Sequence, residues 1–365
     1  MDTLEKLKTT RRREQELERL SPFELKDNLI KLAQPESVKK MASQMLNAGR
    51  GNPNWISTIP REAFFTLGKF GIEECRRVMN DPSGMAGIPE QKGIGKRFQT
   101  FLRENKEMPG IDLLKKLFQY GVKQKGFSAD AFAHELAEGV IGDQYPTPDR
   151  MLKHTESIVH DYLIQEMCNT TTPAGSYDLF AVEGGTAAIC YIFDSLMENG
   201  LLKKGDKIAL GVPAFTPYLE IPELERYNFK VVHVKGSAKT KDGKSNFQYP
   251  EEELDKLGDK SIKAFFITNP SNPTSVEICD QCRKYLVKVV KKLNPNLMIL
   301  TDDVYGTFVE GFTSLMKDLP KNTICVYSFS KYFGCTGWRL GVIAIHRENI
   351  YDDMISALPE KRKNG

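Results

Sequence analysis

The sequence predicts an α/β protein: a mostly parallel seven-stranded sheet with flanking helices, entered through a long helical N-terminal region. Three observations carry this reading. Short apolar runs recur at 177–182, 207–212, 229–234, 262–268, 297–301, 323–328 and 340–345. Helical stretches separate them, the alternation expected when helices cover a parallel sheet. The runs are apolar at consecutive positions rather than at every second one, as strands buried on both faces require.

Taken in order, residues 1–47 read as helix, polar at first and then amphipathic. Ser21-Pro22-Phe23-Glu24 has the form of a capping box with proline at the first helical position. The run Asn47-Ala48-Gly49-Arg50-Gly51-Asn52-Pro53-Asn54-Trp55 cannot continue a helix. Residues 61–140 return to helical patterning, with Gly- and Pro-containing loops at 81–95 and 107–110. The strand runs follow, and after 340–345 a single helical stretch leads into Glu360-Lys361-Arg362-Lys363-Asn364-Gly365. No internal repeat or low-complexity linker interrupts the chain.

Bulk composition narrows the function. The chain has 365 residues, 40% of them hydrophobic, enough for a sizeable core. Lys and Arg number 51 against 48 Asp and Glu, so a net charge of +3 gives no global pull toward nucleic acid or membrane. No apolar run approaches the length that spans a bilayer. The first twenty residues are too charged for a secretory signal. Seven irregularly spaced cysteines and five histidines suit reduced thiols in a cytoplasmic protein. Cys279 and Cys282 form a C-x-x-C, but no second pair exists to complete a zinc site. Arg11-Arg12-Arg13 reads as a solvated helix face, and His154 and His160 as packed or surface histidines.

In open α/β sheets, ligands bind beyond the carboxyl ends of the strands. Glu183-Gly184-Gly185-Thr186 follows the first run and opens a helix, which makes either a phosphate site or a tight turn. Phe215, after the second, can stack on a flat ring or sit in the core. Asn272, in the Asn-Pro loop after 262–268, can donate to a phenolate oxygen or shape the turn. Asp302 follows the fifth run, where a carboxylate can hold a pyridinium nitrogen protonated or cap a helix, and Tyr305 lies three residues on. After 323–328 comes Lys331 among Ser, aromatic and Gly residues, a setting that can desolvate an amine nucleophile, with Arg339 downstream able to clamp a phosphate.

In this order, over about residues 140–345, these pieces resemble the aminotransferase branch of fold-type I pyridoxal-phosphate (PLP) enzymes. The most specific part is Ser-x-Ser-Lys-x-x-Gly-x-x-Gly-x-Arg-Leu-Gly, running from Ser328 to Gly341. The resemblance implies a PLP cofactor held as a Schiff base by Lys331. It implies that Gly185, Thr186, Ser328 and Arg339 hold phosphate and that Phe215 stacks on the ring. Asp302 would pair with the ring nitrogen, and Asn272 and Tyr305 with the phenolic oxygen. Tyr145 would reach the partner subunit's phosphate in a homodimer. Three departures stand out: Ser275 where the family has Gly, Cys335 at a usually aliphatic position, and Phe rather than Trp or Tyr at 215.

The long N-terminal region and the Gly-Arg-Gly-Asn-Pro-Asn-Trp run resemble, within that family, the aspartate 4-decarboxylases. That resemblance implies conversion of L-aspartate to L-alanine and CO2, with aspartate aminotransferase activity toward a 2-oxo acid co-substrate. It also implies association beyond a dimer. Arg50 and Gly51 are the residues expected to orient a substrate carboxylate. The expected organisation is a helical arm with part of a small domain at 1–140, a PLP-binding large domain at 141–350, and at 351–365 the start of a helix leading to an absent C-terminal domain. A plain aspartate or other amino-acid aminotransferase is the second reading, and a non-catalytic PLP-binding or scaffold protein the third.

Overall fold

Seven strands form where the apolar runs lie: β1 (Tyr177–Val182), β2 (Lys207–Val212), β3 (Lys230–Lys235), β4 (Ile262–Thr268), β5 (Met298–Asp302), β6 (Thr323–Ser328) and β7 (Gly341–His346). The computed structural model describes residues 16, 17, 20, 24, 25, 27–31 and 52–359, apart from 146–149, 172, 174 and 241. The chain divides into two compact units, residues 1–53 and 54–365. In the first, residues 27–31 are helical and the Asn28 amide donates to the Glu24 carbonyl one turn back, at 2.8 Å. The expected capping box lies mostly outside the described residues.

In the second unit the strands form one sheet in the order β1-β7-β6-β5-β4-β2-β3. β2, β3, β4, β5 and β6 run parallel; β7 is antiparallel to both β6 and β1. Side chains alternate between two cores, as the two-residue period of a strand demands. Ala264 and Phe266 of β4 join Leu210, Met298, Leu300 and Val326 on one face, under helix α6 (Gly185–Glu198). Phe265 and Ile267 join Ala209 and Ile299 on the other, under helix α7 (Asp280–Leu293). Each of the larger side chains among them contributes about 1.5–3 kcal/mol on burial.

The region before the sheet carries α1 (Thr58–Val78), α2 (Ile94–Glu104), α3 (Ile111–Gln119), α4 (Ala129–Ile141) and α5 (Lys153–Met167). The first four pack around Phe70, Phe98, Phe118 and Phe132. Gly110, at φ +75°, lets α3 start against α1; a Cβ there would sit 2.1 Å from the Ala63 nitrogen. Helix α5 instead lays Leu163 and Met167 against Leu179, Tyr327 and Val342 of the sheet. No helix among the described residues is long and apolar enough to cross a membrane.

The topology decides where chemistry can gather. Strand register pairs Ser328 with Gly341, Gly341 with Val182, and Thr268 with Asp302. The loops after β1, β2, β4, β5 and β6 therefore open on the same edge, with the entry to β7 among them.

Candidate active site

Asp302 closes β5 with 4% of its surface exposed. Its Oδ1 accepts the Val304 backbone N–H at 3.2 Å, and its Oδ2 accepts the Tyr218 hydroxyl. Burial pushes the carboxyl above its ordinary range. The Tyr218 and Val304 hydrogen bonds and the positive charge of Lys331 pull the other way. The Tyr218 phenol is itself driven well up by burial and by Asp302, so it keeps the proton that it donates.

Lys331 follows β6 in a half-buried turn. Burial lowers its amine, the Asp302 carboxylate raises it, and Arg339 lowers it again, leaving it below the ordinary lysine range. A depressed lysine and a desolvated carboxylate facing each other is an arrangement that functional sites favour.

Arg339 reaches across the strand edge. From a left-handed backbone, φ +54°, it donates through Nη1 to the Thr336 carbonyl at 2.8 Å and through Nη2 to the Glu183 carbonyl at 2.9 Å. That ties the guanidinium to the Gly184-Gly185 turn at the start of α6. Gly184, at φ +94°, is bare because a Cβ would meet Arg339 Nη2 at 2.5 Å. Gly185 lies close enough to the acid that its added Cβ would stand 3.9 Å from Asp302 Oδ2. Thr186, next along, is exposed. The Ser328 hydroxyl is buried and bonds to Ser330 Oγ at 2.9 Å and to the Leu340 carbonyl at 3.2 Å. The N-terminal amides of α6 and a guanidinium thus converge on one spot, a geometry suited to a phosphate.

Phe215 is half-buried, edge-on to Tyr218 with ring centroids 5.6 Å apart. Burial pushes the Tyr305 phenol up, and the Asn272 side chain beside it favours the ionised form. Both residues line a cleft of about 390 Å³ with Trp55, Ser271 and Phe308. Ser271 donates to the Pro213 carbonyl at 3.1 Å, joining the loop after β4 to the loop after β2. Beside Asp302, the Asn269 backbone N–H donates to the Asp302 carbonyl at 3.0 Å. The Asn269 side-chain nitrogen and the Thr268 hydroxyl are buried there without a partner. Such orphaned donors cost free energy unless a ligand or water meets them.

The structure therefore brings Lys331, Asp302, Asn272, Tyr305, Ser328, Arg339, Gly185 and Phe215 to one edge of the sheet. Tyr145 is not gathered with them: it is 92% exposed, past the end of α4, and takes part in none of these bonds. Arg50 and Gly51 lie outside the described residues. Tyr218, directly bonded to Asp302, is a residue the sequence reading passed over. Its only signal was its position six residues past β2, in the short helix Thr216–Glu220 that begins just after Phe215.

Residues 171–360 match the family described as aminotransferase class I and II. The chain is 49% identical over 348 residues to a bifunctional aspartate aminotransferase and L-aspartate beta-decarboxylase of a Pseudomonas species, covering 95% of this chain and 64% of that one. It is 28% identical over 235 residues to an aspartate aminotransferase of Pyrococcus horikoshii, covering 61% of this chain and 54% of the relative. The solved Thermus thermophilus aspartate aminotransferase tetra mutant 1 is 19% identical, with a TM-score of 0.48, covering 62% of this chain and 58% of that one. The chain thus spans little more than half to under two thirds of the length of these relatives.

Proposed function

Since the chain belongs to the aminotransferase class I and II family, we propose that it is a PLP-dependent enzyme that converts L-aspartate to L-alanine and CO2 and also transaminates aspartate with a 2-oxo acid. One observation carries the choice of reaction. The similarity to the Pseudomonas bifunctional enzyme extends through the helical N-terminal region, whereas the Pyrococcus aminotransferase matches a much shorter stretch.

The residues at the strand edge fit PLP. A carboxylate sits at the end of β5 for a ring nitrogen, a lysine faces it, and orphaned buried donors lie beside the acid. When bound, PLP supplies an electron sink for the bonds that break at the substrate. Asp302 is assigned to keep the ring nitrogen protonated, and Tyr218 to hold Asp302 ionised against its desolvation. Asn272 and Tyr305 are assigned to the phenolic oxygen, and Phe215 to one face of the ring. Gly185, Thr186, Ser328 and Arg339 are assigned to the phosphate. Lys331 is the attachment point and the base: an amine held below its ordinary range takes and returns a proton more readily near neutral pH. Arg50 and Gly51 are assigned to a substrate carboxylate. A departing carboxylate must not be neutralised too tightly, because ground-state pairing slows its loss. Tyr145, exposed in one chain, is assigned to the cofactor phosphate of a partner subunit in a homodimer or larger homo-oligomer of the cytoplasm. On this reading residues 141–350 hold the cofactor, residues 1–140 form the arm and part of a small domain, and residues 351–365 lead out of the large domain.

The test uses PLP-loaded protein with L-aspartate and no 2-oxo acid. Sustained, stoichiometric alanine and CO2, abolished by Lys331→Ala, is the expected result. A single turnover to oxaloacetate that stalls until a 2-oxo acid is added would leave a plain aminotransferase. Protein that binds PLP without turnover would leave a non-catalytic binder.

A further inference from the structure

We infer that Arg61 is a positioning residue for Lys331, acting through the turn that carries it. The inference rests on the proposed role of Lys331. The turn's internal bonds are Gly334 N–H to the Lys331 carbonyl at 3.2 Å and Cys335 N–H to the Ser330 carbonyl at 3.1 Å. They close the turn and leave the carbonyls of Tyr332, Phe333 and Gly334 pointing outward. A strap of residues 55–61, leading into α1, takes all three. Trp55 Nε1 donates to the Tyr332 carbonyl at 3.0 Å. The Ser57 N–H donates to the Phe333 carbonyl at 3.2 Å. Arg61 forks over the rest, with Nη1 to the Phe333 carbonyl at 3.2 Å and Nη2 to the Gly334 carbonyl at 2.8 Å.

Two further facts show that the contact is built in. Gly334 sits at φ +59°, and a Cβ there would lie 2.1 Å from the Trp55 carbonyl oxygen, so only a bare backbone lets the strap seat. Arg61 also anchors its own end of the strap: Nη1 donates to the Ser57 carbonyl at 2.6 Å, and the guanidinium lies 5.3 Å from the centre of the Trp338 ring. A planar fork shared among fixed carbonyls defines an orientation, which a single ammonium does not. Trp55 lines the cleft beside Asn272 and Tyr305 and meets Phe308 edge-on at 5.9 Å. The same strap therefore walls the cleft and fixes the backbone from which Lys331 reaches into it. A lysine amine rides on four flexible carbons, so a small rotation of this turn displaces the base from the proton it must take.

The experiment compares PLP-loaded wild type with Arg61→Met, Arg61→Lys and Trp55→Phe. Four quantities are read: the pH midpoint of the absorbance of lysine-bound cofactor, kcat and KM for L-aspartate, and Tm. Positioning predicts that Arg61→Met lowers kcat on the order of 10–100-fold, with KM little changed, and shifts the spectral midpoint. Arg61→Lys recovers Tm without recovering kcat, and Trp55→Phe shifts the midpoint in the same direction by less. A lower Tm with unchanged midpoint and kcat, or full recovery of kcat by Arg61→Lys, overturns the inference. Should Arg61→Met fail to fold, Arg61→Lys and Trp55→Phe decide between the same outcomes. Borohydride reduction of the wild type separates the two levels. If PLP is not fixed on Lys331, the proposed function falls and the inference with it. If it is fixed and the variants match wild type, the inference falls alone.

Discussion

Removing one oxygen, in Tyr218→Phe, tests how far a hydrogen bond favours the ionised form of Asp302. The carboxylate is 4% exposed, and burial alone favours its neutral form. The Tyr218 hydroxyl is one of two hydrogen-bond donors that oppose this, the Val304 amide being the other. A hydrogen bond to a charged group is worth about 1.5–3 kcal/mol, roughly ten- to a hundredfold in the balance between ionised and neutral Asp302. The ring of Phe fills the same space among Phe215 and Phe266, so packing changes little. The sign follows from the direction of the shift. Asp302 is raised in the folded protein, so the folded state binds a proton that the unfolded chain releases. Stability from this group is complete below the ordinary carboxylate range and is lost as pH rises. Tyr218→Phe raises Asp302 further, so it deepens that loss in the cofactor-free protein and moves the acid limb of kcat/KM to higher pH. The assays are urea unfolding of the cofactor-free protein against pH and the kcat/KM profile with L-aspartate. An acid limb that stays in place while the variant remains folded refutes the reasoning.

Other outcomes follow from neighbouring geometry. Gly184→Ala places a Cβ 2.5 Å from Arg339 Nη2 on a backbone at φ +94°; strain of about 1–3 kcal/mol and displacement of the guanidinium should weaken PLP binding, measured by fluorescence titration. Arg339→Lys loses the fork to the Thr336 and Glu183 carbonyls, and PLP release should quicken even where folding is unchanged. Phe265→Ala opens a cavity in a fully buried position of β4, costing about 3–5 kcal/mol in urea unfolding while leaving the site's residues in place. Asp303, buried beside Thr301 and Cys325, is raised by burial to about 7. Its stabilising proton is lost as pH climbs from the ordinary carboxylate range toward that value, so Asp303→Asn should flatten the pH dependence of unfolding there; an unchanged slope would remove Asp303 as its source.

Much of the fold was legible because strands buried on both faces read as unbroken apolar runs. Four of the seven runs coincide with the observed strands, and β3, β5 and β7 start one residue later. Most of the residues gathered at this edge were legible for a related reason: each ends or follows a strand, and the topology opens those strand ends on one edge. Residue types at strand ends, in order, were the information the sequence held by itself. Direction was not among it, since the run that becomes β7 is as apolar as its neighbours yet lies antiparallel to both. Nor were the supports. Tyr218 meets Asp302 across 84 positions of chain, and Trp55 meets the Tyr332 carbonyl across 277. A hydrogen bond to a carboxylate or a backbone carbonyl accepts any donor of the right reach, so it leaves no spacing or motif in the chain. The sequence by itself determined which chemical groups stand at the strand ends; only the tertiary structure decided what bonds to the Asp302 carboxylate and to the turn that carries Lys331.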